Sequence, residues 1–185
     1  MIQLKLFELF NPNDGTAENL LGIFGKEDVI KFSDKYIGIA YDYDKSTYVD
    51  ILRKTKELNL RQVIVTSRTF FELVNYSIKH DFTLNEIKFV YPIADESVEF
   101  VNRYLQEINA LVGEEKNNYK QQLFEELDWI VSDECIDIKV LSLHAKFPES
   151  PLYIKIELYN NGVLLINSRK ILGTMIDMIK QIFGE

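Results

Sequence analysis

Apolar and polar positions alternate from the first residues: Ile2, Leu4 and Leu6 take one side of an extended chain, which predicts a strand. The Asn11-Pro-Asn-Asp-Gly15 run ends it as a turn, and a short helix over 17–24 closes at Gly25. From Tyr36 the pattern becomes regular. The apolar run 36–41 reads as a buried strand and 46–59 as an amphipathic helix carrying Val49, Leu52 and Leu58. A second buried strand over 62–66 leads to a helix over 69–79 with Phe70, Leu73, Val74 and Ile78 on one face, and a third strand covers 86–91. Helices follow over 95–112 and 115–127, punctuated by Gly113, and Trp129-Ile-Val-Ser132 reads as a fourth strand. Beyond Asp133 the grammar changes to a hairpin, 152–159 and 163–167 around Asn160-Asn-Gly162, because Asn-Gly suits the turn that joins antiparallel strands. A helix over 169–183 ends the pattern.

Strand, helix, strand, helix, strand closes most simply as a parallel sheet with right-handed crossovers. The expected fold is therefore α/β: a mostly parallel, Rossmann-like sheet flanked by helices, with a C-terminal antiparallel hairpin and terminal helix. No repeat, linker or low-complexity segment divides the chain. It reads as a single domain over 1–185, with an N-terminal extension 1–35, a core 36–141 and the hairpin and helix in 142–185.

Composition narrows the function classes. At 185 residues and 46% apolar the chain can bury one ordinary core. A net charge of −8 disfavours nucleic acid, whose binding depends on Lys and Arg displacing counterions, and favours a basic partner. One cysteine, Cys135, rules out an internal disulfide, and two distant histidines, His80 and His144, give no local zinc cluster. Without an apolar run of about 20 residues or a signal-like N-terminus, a cytoplasmic protein with no membrane span is expected.

Three groups of residues stand where a parallel sheet would open its ligand crevice. Asp42 and Asp44 follow the 36–41 strand, where paired carboxylates can share Mg²⁺ or divide the work of nucleophile and acid/base. Thr66-Ser67-Arg68 ends the next strand and starts a helix, a place for a phosphate oxygen. Asp133 and Asp137 follow the fourth apolar run and add metal-binding acids, while Lys116 or Lys120 can balance the charge.

In that order the residues resemble the motifs of the haloacid dehalogenase superfamily of phosphohydrolases, over roughly 36–141. The resemblance implies Asp42 as nucleophile, Asp44 as acid/base, Thr66 as the phosphate-holding hydroxyl and Lys116 or Lys120 as the balancing lysine. Asp133 and Asp137 would join Asp42 and Asp44 around Mg²⁺, and the substrate would be phosphorylated. Where the family carries Gly-Thr after its second aspartate, this chain has Lys45-Ser46. The short spacing from Asp42 to Thr66 leaves no room for a cap, so such a site would be open to a large substrate or covered by another subunit.

Each group also has a plain reading. Asp42 and Asp44 suit a solvated turn, Thr66 and Ser67 suit a helix cap, and Lys116 and Lys120 suit a helix surface. The 133–137 run can lead into an antiparallel meander that joins the later hairpin. The rival function is a non-catalytic acidic binding protein, such as a bacterial immunity protein or phage counter-defence inhibitor, that neutralises a basic partner. That reading expects scattered acids and an exposed apolar patch rimmed by charge, whereas catalysis expects the five acids and hydroxyls to converge.

Overall fold

A computed structural model describes residues 1–11, 15–42, 47–146 and 153–184. The chain folds as two compact units, one of Met1–Ile64 with Asn161–Glu185 and the other of Val65–Asn160.

The first unit is organised around β1 (Ile2–Leu9), with α1 (Thr16–Phe24), β2 (Val29–Lys31), β3 (Tyr36–Tyr41), α2 (Tyr48–Thr55), β4 (Leu60–Gln62), β8 (Val163–Ile166) and α6 (Leu172–Phe183) around it. β3 pairs along one edge of β1 and itself pairs β2. The other edge is shared: β8 takes Ile2 to Lys5, and β4 takes Phe7 to Leu9. Both faces are covered. Phe7, Leu9, Ile37, Ile39 and Tyr41 bury with Leu20 of α1 and Ile51 of α2. On the opposite face Tyr36 stacks against Phe183 of α6, whose Met175, Met178 and Ile179 are fully buried. Burial on both faces explains why the 36–41 strand is a continuous apolar run instead of an alternating one.

The second unit holds α3 (Ser67–Lys79), β5 (Thr83–Phe89), α4 (Asp95–Ala110), α5 (Gly113–Asp128), β6 (Ile138–Lys146) and β7 (Tyr153–Tyr159). β6 lies between β5 and β7, antiparallel to both. Helix α3 buries Phe70, Leu73, Val74 and Tyr76, and α4 buries Val101, Leu105 and Ile108, the faces that the 3.6-residue period marks out.

Six α-helices were expected in nearly these places, but the strand directions overturn the parallel, Rossmann-like sheet. All the ladders seen among the eight strands are antiparallel. The physical reason lies in β1. The β3–α2–β4 stretch stands in place of the strand–helix–strand unit that the sequence suggests, with its second strand at Leu60–Gln62 and not over 62–66, and its strands do run the same way, since both oppose β1. They never touch, because β1 is inserted between them. The segment read as an N-terminal extension supplies the central strand of its unit.

The expected fourth strand at Trp129–Ser132 is also corrected: Trp129–Asp133 forms a π-helical turn that prolongs α5. Leu123, Leu127 and Ile130, all fully buried, continue one helical face across the junction. The antiparallel meander reading of the chain after Asp137 holds, with β6 beginning at Ile138. Among the described residues no helix is long and apolar enough to cross a membrane.

Candidate functional site

The expected phosphotransfer residues are distributed over both units. Asp42 follows β3 in the first unit and is exposed; Asp44 lies outside the described residues, with Lys45 and Ser46. Thr66 caps α3, its hydroxyl accepting from the Thr69 backbone N–H at 3.3 Å. Ser67 donates its hydroxyl to the Asp137 carboxylate at 2.8 Å, and the Ile138 N–H donates to the Ser67 hydroxyl oxygen at 3.4 Å. Asp137 thus ties the start of β6 to the start of α3. Lys116 faces Asp81 at 3.6 Å, and Lys120 donates to Asn75 at 2.6 Å. Asp133 ends the π-helical turn in solvent. The structure brings together Ser67 and Asp137, beside Thr66, in a helix-capping arrangement. Among the described residues no three His, Cys, Asp or Glu side chains are grouped as metal ligands.

Each unit carries a concave site of interest. In the first, a cleft of about 630 Å³ opens at the Asp42 end of β3. Its walls come from the start of β1, the end of α1, the end of β3 and α2. Ile23, Phe24 and Ile51 give it apolar surface, while Asp28, Asp42 and Asp50 bring three carboxylates and Lys54 one ammonium. Gln3 and Tyr41, cross-strand partners on β1 and β3, join side chains in the cleft, the Gln3 amide donating to the Tyr41 oxygen at 2.5 Å. Asp50 is held by a capping box in which the Thr47 hydroxyl and backbone N–H both donate to it at 2.8 Å. Those two bonds hold its carboxyl below the ordinary range, so it is anionic at neutral pH.

In the second unit a groove of about 390 Å³ runs where β5 hands over to α4. Beyond Phe89 the chain keeps one more ladder bond, Val90 N–H to the Asp137 carbonyl at 2.9 Å, and then turns through Pro92 into the helix. That turn leaves Val90, Tyr91 and Val98 facing water, Tyr91 at 68% exposure. Val98 and Asn102 line the groove from α4, and Asp95, seven residues before Asn102, extends their face toward the helix start. Glu96 and Glu99 are exposed on other faces of α4, and Lys88 lines the groove from β5. Ala94 at the N-cap offers no side-chain cap, so Asp95 and Glu96 also face the positive end of the helix dipole.

A third feature, Lys5, has no surface at all. It is 0% exposed in the middle of β1, where its ammonium donates to the carbonyls of Asn161 and Val63, the latter at 3.4 Å. Burial lowers its pKa from the ordinary 10.5 to about 8.

None of Gln3, Lys5, Asp28, Lys54 or Tyr91 stood out in the sequence. The Thr47-to-Asp50 spacing is a readable capping signal, but the exposure of Tyr91 depends on where β5 stops. Comparison with family models, with curated proteins and with solved structures yields no match.

Proposed function

We infer that this chain is a non-catalytic acidic binding protein that docks on a basic protein partner through the groove beside α4. The observation that carries the reading is the exposed apolar strip of Val90, Tyr91 and Val98, with Asp95 on the α4 face of Val98 and Asn102 and, among the described residues, Lys88 as the one charged side chain lining the groove. An aromatic anchor in an exposed apolar patch is the usual centre of a protein contact. The net charge of −8 supplies the long-range attraction to a basic surface. The phosphotransfer reading leaned on the crevice of a parallel sheet, and antiparallel ladders withdraw that support; its Mg²⁺ and phosphorylated substrate lose their motif context with it.

The test is selection of random 12-residue peptides displayed on phage against the immobilised chain, followed by affinity measurement of the winners. Peptides pairing Lys or Arg with a large apolar residue are expected. Tyr91→Ala is expected to weaken them about tenfold or more, the loss typical of an aromatic anchor. Enrichment indifferent to charge, or affinity untouched by Tyr91→Ala, defeats the reading. Mg²⁺-dependent hydrolysis of an aryl phosphate that disappears in Asp42→Asn would restore catalysis in its place.

A further inference from the structure

We propose that the groove beside α4 takes its partner as an added strand: an extended, basic segment of the partner protein pairs with the open edge of β5 and lays its alternate apolar side chains against α4. The proposal rests on the reading that a protein partner docks in this groove, and it names how that partner is held. Among the described residues β5 has one ladder, to β6, so its other edge carries main-chain groups with no strand beside them. That edge forms one wall of a concavity. Seven consecutive residues, Ile87 to Ile93, line the groove of about 390 Å³, and Val98, Val101 and Asn102 of α4 form its far side.

At Leu84 the same edge already holds an amide. The Leu84 N–H donates to the Asn109 carboxamide oxygen at 3.0 Å, and the Asn109 amide nitrogen donates to the Leu84 carbonyl at 2.7 Å. One side chain of α4 thus makes with one residue the two-bond exchange of an antiparallel ladder, standing where a neighbouring strand would be. These bonds also set the phase of the edge. Successive residues alternate between facing the partner strand and facing away, and the bulge between Leu84 and Glu86 moves the next outward positions to Ile87 and Phe89. Val90 keeps that phase, because its N–H turns inward to the Asp137 carbonyl at 2.9 Å. Asn102, two helical turns before Asn109, lines the groove and is exposed, so an incoming strand takes over from Asn109 at Ile87 and Phe89. Pro92, with no N–H to offer, closes the pairing at the other end.

Charge selects a foreign basic segment over a second copy of this chain. Two copies at −8 repel one another, whereas a basic strand is attracted. Lys88, on the edge itself, is paired with Glu86 at 3.1 Å, and Asp95 extends the groove face of α4.

The experiment is an NMR titration of the ¹⁵N-labelled full chain with an acetylated, amidated octapeptide of alternating Lys and Val, and with two derivatives, one N-methylated at every Val and the other at every Lys. The parent peptide is expected to move the amides of Ile87 and Phe89 along saturable curves. In a paired strand alternate N–H groups face opposite ways. One derivative is therefore expected to bind as the parent does and the other about tenfold or more weakly, since several ladder bonds are lost together. Derivatives of equal affinity, bound in the groove and weakened by Tyr91→Ala, overturn strand addition and leave the docking reading in place. The absence of saturable shifts over Ile87 to Ile93 overturns both. Shifts at Ile87 and Phe89 that follow protein concentration without peptide make a second copy the occupant and overturn the proposal.

Discussion

At the scale of single residues, Lys5 is the clearest departure from what the sequence suggests. It falls between Leu4 and Leu6 in an alternating segment, so the pattern assigns it to a wet face. The structure covers both faces of β1 and leaves it 0% exposed. Its amine is retained because two carbonyls need a donor. Val63 follows β4 and Asn161 precedes β8, and here the shared edge of β1 passes from one strand to the other. Gly162 completes the junction with a left-handed φ of +72, and a Cβ there would run into the Val63 carbonyl. The buried amine has a measurable signature. Its folded pKa of about 8 lies below the ordinary 10.5, so between those values the unfolded chain binds more protons and stability rises with pH. The full shift corresponds to about 3 kcal/mol. Chemical denaturation of the wild type and Lys5→Met at pH 7.5 and pH 10 is expected to show this rise in the wild type only. Parallel curves for the two proteins would mean the amine is not desolvated.

At the scale of elements, helices were legible and strand partners were not. Helix faces are written locally: α3 and α4 bury the residues their spacing marks, and Gly25 closes α1 as expected. Partnership is a long-range property. Nothing within 36–66 announces that β1 will separate β3 from β4, so a strand–helix–strand reading, right in order but with its second strand set at 62–66 in place of Leu60–Gln62, led to the wrong sheet. The misplaced strand at Trp129 has a local cause, since a short apolar run cannot by periodicity alone be told from a buried helix end. The Ser67–Asp137 contact belongs to this scale too. Both residues were singled out for chemistry, and what joins them is the docking of α3 against the start of β6. Asp137→Ala is therefore expected to cost about 1.5–3 kcal/mol of unfolding free energy, the range for a hydrogen bond to a charged group. Ser67→Ala should cost a similar amount, and the double variant less than their sum, because both remove one interaction. Additive losses in urea denaturation would show the two side chains act separately.

At the scale of the whole molecule, the acidic balance was readable from composition, and it is the property that survived the change of fold. Charge acts over distance and needs no particular topology, whereas the phosphotransfer site needed strand ends arranged in one way. Where the concave sites lie was beyond the sequence: the groove depends on Pro92 turning the chain into α4, and the cleft depends on α1 and α2 sharing the face of β1 and β3. Long-range attraction and short-range anchoring should separate in the kinetics of docking. Net charge −8 accelerates encounter with a basic peptide, and salt screens it, with a Debye length falling from about 10 Å at 0.1 M to about 3 Å at 1 M. Raising NaCl from 0.05 M to 0.5 M is expected to lower kon for a selected basic peptide by about tenfold and to change koff little. Tyr91→Ala should do the opposite, raising koff while leaving kon and its salt slope nearly unchanged, because the ring is engaged only after contact. Surface plasmon resonance on the four combinations of protein and salt resolves both terms. A salt effect residing in koff would place the acids inside the contact instead of around it, and a kon indifferent to salt would remove electrostatic steering from the proposed docking.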